Sequence, residues 1–577
     1  MAGPLSRIPG RYGALAVAVA IQRQVREEWA GTPLHRWLLA RPRPDGLGAA
    51  PKDLRPPDPD NGRRILAGAF VFAGGNLTPG PGGDPWNQPS PSRRFAVALH
   101  RFDWLRDLTV LGEPGAEEAL RLTLEWRRTF GRWNSFAWSP EALERRTFNL
   151  ACAARAVCAR ASEAETAAIA LDLARQARRL LEVGDGPMRA AERAVAAAVA
   201  ATALSGPAAQ KLLERALARL EQVLPATVGP DGGHRSRNPQ AALELLFDLT
   251  ALDDGLVQQG VAAPDEMLRA IDRLAGAARF FTLADGRLAA FQGGEELDAA
   301  YVAAARADDG GADRGVPVLR NGYHRLESRS LQLIADGDAP AQGAWSIAAC
   351  AQPLAVEILA GGRRLIVGGG WSPDAYGPQA MRLVDAASTA SIGDAACGEP
   401  LRGFPARLLG PRLRDADHLV EARRHEAPGA LWLELRHDGW VRRFGLRHER
   451  RLYLDLEADE LRGEDRFTRE VPEAETTPEG RRFIPFTVRF HLHPEVSALI
   501  ARDRKSVLLK AEGEETGWWL RSDALEVVIE PSIHYQDGRP RRAQQIVLRG
   551  QARMDAGARV RWKLAAASRV DAADAGA

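Results

Sequence analysis

Asp231-Gly232-Gly233-His234-Arg235-Ser236-Arg237-Asn238-Pro239 reads as a turn feeding a helix, and it brings one histidine and two arginines to the helix start. Asp-Gly-Gly supplies the unhindered positive-φ positions of a tight turn. Asn238 ahead of Pro239 is the pattern of an N-cap followed by proline at the first helical position. Leu243, Leu246, Phe247 and Thr250 then recur on one face, so the helix buries that stripe and holds its N-terminal end in place. Free N–H groups at that end, with Arg235 and Arg237 beside them, suit a carboxylate or sulfate, with His234 within reach to move a proton. A capped loop with solvated arginines and a carbonyl-bonded histidine has the same sequence, so the pattern alone leaves both readings open.

Working outward, residues 95 to about 281 show helical periodicity with many alanines. Breaks fall at Gly112-Glu113-Pro114-Gly115, Gly184-Asp185-Gly186-Pro187, Gly206-Pro207 and Gly229-Pro230. Short loops between such helices imply antiparallel hairpins stacked into a bundle or toroid. After about Gly310 the texture becomes short alternating runs. Leu331 to Ala335, Leu354 to Leu359, Arg364 to Val367, Leu431 to Leu435 and Val488 to Leu492 predict strands of an antiparallel sandwich. The expected organisation is a partly irregular lead-in over 1–93, rich in Pro, Gly and Asp from about residue 40, a helical domain over 94–310 and a β domain over 311–577. On the strand at Val488, alternation puts Arg489, His491 and His493 on one face. Two such histidines can share a metal where a third ligand exists, and otherwise are solvated or partner a carboxylate.

A chain of 577 residues has room for two or three domains. With 77 basic against 75 acidic residues there is no global field favouring nucleic acid or an anionic membrane. Arginine supplies 72 of the 77 basic residues, which suits forked recognition of carboxylate or sulfate, although a GC-rich genome has the same result. Cys152, Cys158, Cys350 and Cys397 have no CxxC spacing and are too few for a disulfide framework. Arg7 and Arg11 precede an apolar run, Ala14 to Ile21, that is short for a signal peptide, and no stretch is long enough to span a bilayer. The expectation is a soluble chain, with the cytoplasm ahead of the periplasm. Seven of the fourteen tryptophans lie in the first 138 residues. Most should pack cores. Trp133 and Trp138, in the loop Phe130 to Pro140, are the pair expected to be exposed for stacking on sugar rings.

The order of motifs resembles the heparinase II/III-type polysaccharide lyases. A tryptophan-rich helical half is followed by DGGHRSRNP, then Ala284-Asp-Gly-Arg-Leu-Ala-Ala-Phe-Gln-Gly-Gly294, Gly322-Tyr323 and finally Val488-Arg-Phe-His-Leu-His-Pro494. Arg146-Thr-Phe-Asn149 is similar to an earlier helical motif of the group. The resemblance runs from about residue 60 onward. It implies an incomplete α/α toroid followed by an antiparallel β-sandwich, and cleavage of a uronic-acid glycan by β-elimination. The proton next to the carboxylate is weakly acidic, so that carboxylate must be neutralised and a base placed beside the proton. On this resemblance Arg235, Arg237, Asn238, Arg146 and Asn149 bind substrate with Trp133 and Trp138, His234 polarises or abstracts, and a tyrosine serves the leaving oxygen. That tyrosine would be Tyr323, on the first strand, with Tyr301 at the far end of the helical half as the alternative. Asn238 has a competing use as the helix cap. Where the family carries Ala-His-Ala-Gly this chain has Ala349-Cys-Ala-Gln352, and where it carries Ala-His-Ser-Thr this chain has Ala386-Ala-Ser-Thr389. In metal-containing relatives these positions, with the region matching Val367-Gly-Gly-Gly370, hold zinc. Cys350 alone cannot supply three or four ligands, so no metal and no other cofactor is expected there. The expected partner is an acidic poly- or oligosaccharide. Three functions follow in order: a lyase, a non-catalytic glycan-binding protein on the same fold, and hydrolysis by Glu295 and Glu296, which as adjacent residues do not normally face one another across a bond.

Overall fold

Helix Ala190–Thr202 is buried along its whole length. Alanine has the highest helix propensity and a side chain small enough for other helices to approach closely. Helices Pro140–Val157, Glu163–Glu182 and Pro207–Thr227 pack against it. Their starts follow local chemistry: Pro140 and Pro207 sit in the first turn, and Ser162 with Glu165 forms a reciprocal capping box. With Glu113–Phe130, Pro239–Gln259 and Asp265–Phe281 they make the helical toroid. The computed structural model describes residues 10–184, 186–307, 315–373, 377–470 and 482–567. Among them no helix is long and apolar enough to cross a membrane.

The stretch before residue 94 is more regular than its composition suggests. It contains helices Gly10–Gly31, Pro33–Leu39 and Pro59–Leu66 and the hairpin of Phe70–Phe72 with Gly75–Leu77. The prolines read as loop formers are helix starters here: Thr32 caps the helix at Pro33, and Asp58 accepts from the N–H groups of Asp60 and Asn61. The run Ala14 to Ile21 lies inside the first helix; Arg7 lies outside the described residues.

The chain forms two compact units whose limits differ from the change of texture near residue 310, which itself lies outside the described residues. One unit runs to Gly229 and resumes over Leu243–Leu274. The other takes Pro230–Ala242 and the chain from Ala275. The turn Asp231–Pro239 therefore belongs with the sandwich rather than with the helices that surround it in sequence.

In the second unit, a nine-stranded antiparallel sheet runs Glu526–Gln536, Arg539–Arg553, Phe483–Leu492, Arg363–Val367, Val356–Ala360, Leu331–Asp336, Tyr323–Glu327, Leu319–Arg320, with Ala390–Ile392 also paired to Phe483–Leu492. An eight-stranded sheet runs Val420–Ala427, Ala430–His437, Leu446–Asp455, Glu460–Arg469, Ala558–Ala566, Trp518–Ser522, Ser506–Ala511, Val496–Ile500. Leu333, Ile358, Val488 and Phe490 of the first share a core with Leu433, Leu452, Leu461 and Leu564 of the second. Every strand expected from alternation is present; the one expected from Leu354 starts at Val356, and the others run one to five residues further at one end or both.

Gly463 pairs directly with Trp562 across the eight-stranded sheet, and a Cβ there would lie 2.0 Å from Trp562 Cε2. The indole cannot swing away freely because its Nε1–H is given to Asp465 Oδ2 at 3.0 Å. Gly463→Ala is therefore expected to cost about 1–3 kcal/mol by overpacking, read as a lower urea midpoint.

Candidate active site

Asp231 ties the turn to the first strands of the sandwich sheet. Its Oδ1 accepts from Gly233 N at 3.0 Å, its Oδ2 accepts from Asn321 N at 2.5 Å, and its carbonyl accepts from Arg320 Nη1 at 2.6 Å. Gly233 must lack a side chain, since a Cβ would lie 2.3 Å from Asn321 Cγ. Asn238 Oδ1 accepts from Gln240 N at 2.8 Å and Ala241 N at 3.2 Å, which is the helix cap read from the sequence; the amide is occupied by that work.

His234 is 1% exposed. Its Nδ1 lies 2.7 Å from Ser236 Oγ and its ring meets Trp345 edge-on at 5.8 Å. Arg235 alone of this run is exposed.

Arg237 was expected to neutralise a substrate carboxylate, and the structure corrects this. Its backbone sits at φ 62° and its guanidinium is spent inside the unit. Nη2 reaches Asp336 Oδ1 at 2.6 Å, Nη1 reaches the carbonyls of Asp338 and Ala339 at 3.0 Å, and Nε reaches the Asn321 carbonyl at 3.2 Å. The plane lies over the Tyr323 ring at 4.6 Å. Tyr323, the expected acid/base group, is fully buried between Phe281 and Phe291 and donates its hydroxyl to the Arg237 carbonyl at 2.9 Å. Burial and the Asp336 charge push its phenol well above 10. Strand register explains the meeting, because Tyr323 pairs with Asp336. Asp336 went unnoticed in the sequence; its only local signal is a carboxylate closing the apolar strand Leu331–Asp336.

From Asp336 the network continues. Gln292 Nε2 donates to Asp336 Oδ2 at 3.1 Å, and Gln292 Oε1 accepts from Cys350 N at 2.9 Å. Cys350 is buried with Trp371 and Tyr535, and burial pushes its thiol up to about 11. Ala387 and the glycines 368–370 carry no ligating side chain, and Cys350 alone cannot supply three or four ligands, so the positions at which the resemblance implied zinc do not fit a metal in this chain.

The expected binding residues of the helical unit are corrected in the same way. Arg146 is 0% exposed, lies over the Trp126 ring at 4.2 Å, and donates to Gln176 Oε1 at 2.8 Å and the Ala137 carbonyl at 2.7 Å. Burial lowers its guanidinium to about 9. Asn149 donates to the Arg101 carbonyl and to Asp103 Oδ1 at 2.9 and 2.8 Å. Trp138 is 5% exposed and gives its indole N–H to the Phe130 carbonyl, whereas Trp133 is half-buried. The tryptophans that do face solvent are Trp29 and Trp37, at 43% and 52% exposure. Glu295 and Glu296 serve different partners: Glu295 accepts from Gly538 N and Ser372 Oγ, Glu296 from Arg287.

The helical toroid followed by a sandwich has counterparts among known proteins. Residues 314–563 match the family model described as Heparinase II/III-like, C-terminal. FtsZ-localized protein C of Caulobacter vibrioides (strain NA1000 / CB15N) is 51% identical over 560 residues, covering 97% of each chain. This chain belongs to the heparinase II/III-like family. Its fold is that of the heparinase III crystal structure, with a TM-score of 0.67 at 14% identity over 92% of this chain and 89% of that one. The heparan sulfate lyase HepC from Pedobacter heparinus gives 0.55 at 14% identity, over 92% and 87%. The heparinase II/III-like chain shares with these lyases a fold, while its buried arginine and tyrosine are wired to each other.

Proposed function

We propose that this chain is a lyase-fold protein that binds an acidic glycan without cleaving it and acts where FtsZ gathers. One observation carries the reading: Arg237 and Tyr323 are both committed inside the second unit, the arginine to Asp336 and three carbonyls and the tyrosine to the Arg237 carbonyl. Elimination needs a cation free to meet the uronate carboxylate and a base beside its α-proton. A buried phenol pushed well above 10 holds its proton at neutral pH and already donates it elsewhere. The thiol standing where the family carries histidine is also held in its protonated form. The glycan part of the reading is supported by the family and by the exposed Arg235; the location is supported by the relative named FtsZ-localized protein C.

The lyase reading keeps His234, buried beside the exposed Arg235, as the imidazole that would move the proton, so a single experiment separates the two. The chain is incubated with heparan sulfate, hyaluronan, alginate and envelope glycans, and ultraviolet absorbance of unsaturated products is followed alongside retention on each immobilised glycan. Retention without absorbance is expected, together with concentration of the labelled chain at FtsZ assemblies in cells. Absorbance that disappears in His234→Ala would instead establish a lyase, and retention on none of the glycans would remove the carbohydrate part of the proposal.

A further inference from the structure

Glu296, His493 and His534 come from a loop, the end of a strand and a strand of the same unit, and their side-chain ligand atoms all lie within 4.8 Å of one another. All three are buried. His493 Nε2 is 3.5 Å and His534 Nε2 3.8 Å from Glu296 Oε2, and none of these three atoms makes a hydrogen bond.

The orientation of each group is fixed from behind. His534 Nδ1 donates to the Gly368 carbonyl at 2.9 Å, so its Nε2 carries a lone pair. Glu296 Oε1 accepts from Arg287 Nη1 at 2.5 Å, which leaves Oε2 turned toward the imidazoles with Arg364 Nε at 3.8 Å. A carboxylate oxygen and an imidazole lone pair therefore face each other with no hydrogen between them. Two buried acceptors in that position are repulsive unless something positive lies between. His493 Nδ1 accepts from the Glu495 N–H at 3.4 Å and lies 3.9 Å from Glu495 Oε2.

The geometry points to a divalent transition cation of the zinc type held by Glu296 Oε2, His493 Nε2 and His534 Nε2. Ligand atoms around a tetrahedral zinc stand about 3.3 Å apart for bonds near 2.0 Å, so the three need draw in by only a few tenths of an ångström at the two measured separations. One carboxylate and two imidazoles with backing hydrogen bonds are the donor set and outer support such an ion takes. These residues are not those that hold zinc in metal-containing relatives, whose positions here are Cys350, Gly368–Gly370 and Ala387. His491 takes no part, since it bonds Ser532 Oγ and the Asp385 carbonyl.

The test is metal analysis of the full chain after chelator treatment and return of Zn²⁺ or Co²⁺. One equivalent per chain is expected, with a rise in Tm on adding Zn²⁺ and an intense visible absorption on adding Co²⁺. His534→Ala and His493→Gln are each expected to weaken Zn²⁺ binding by more than about tenfold, while His491→Gln leaves it unchanged. Neither Tm shift nor Co²⁺ spectrum in the unsubstituted chain would overturn the site and assign the centre to a bridging water. Undiminished binding in both His534→Ala and His493→Gln would overturn it as well. The Co²⁺ spectrum needs no variant, so a substitution that fails to fold leaves the test intact.

Discussion

Asp336→Ala is expected to lower the unfolding free energy by about 3–5 kcal/mol, because it strands a buried guanidinium without its counter-charge. Arg237 would keep its carbonyl partners at Asn321, Asp338 and Ala339, but none of these carries a charge. Gln292 would lose the acceptor that fixes one end of its amide, and Tyr323 would sit under a cation no longer anchored. Urea denaturation should show a lower midpoint, with Asp336→Asn intermediate because it retains an acceptor of the same size. A loss under about 1 kcal/mol would mean that solvent reaches Arg237, and with it the argument that the cation is unavailable to a substrate would fall.

The second large effect is expected at Asp465, in the core between the two sheets. Its Oδ1 accepts from Arg450 Nε and lies 2.8 Å from His448 Nε2, while Oδ2 accepts from Trp562 Nε1 at 3.0 Å. All these side chains are buried, so Asp465→Ala leaves Arg450 as an unpaired interior charge and is expected to cost about 3–5 kcal/mol. Burial alone would raise the Asp465 carboxyl, but the Arg450 charge and the His448 hydrogen bond outweigh it and hold the group well below the usual carboxylate range. A depressed folded pKa stabilises above the ordinary carboxylate pKa, about 3.9, and that contribution is lost as pH falls through the folded value. Thermal melts should therefore show the gap between Asp465→Ala and the unsubstituted chain at full size near neutrality and shrinking in strong acid. A gap that widens toward low pH would contradict the pairing.

Much of the architecture was legible because period and punctuation are local. Alanine-rich helical runs broken by Gly-Pro, and β runs alternating every second residue, place helices and strands without knowledge of contacts. Asn238-Pro239 was readable as a cap for the same reason. The site was less legible because a cation's job depends on what lies opposite. Nothing near Arg146 in sequence announces Gln176 or the Trp126 face, and nothing near Arg237 announces Asp336, 99 residues away. Alternation along Val488–Leu492 sorted the faces but not their surroundings: His491 is buried too, and His493 finds its partners at Glu296 and His534. Those positions become neighbours only through the sheet.

The assignment of Pro230–Ala242 to the sandwich unit has a consequence for how this gene can be divided. A polypeptide beginning where the β texture starts would carry Tyr323 and Asp336 but lack the long arm of Arg237 that lies over one and neutralises the other. The inherited sandwich is thus a discontinuous object, stitched from an early insert and a late body, and shuffling it between proteins by a single crossover would leave an acid buried without its base.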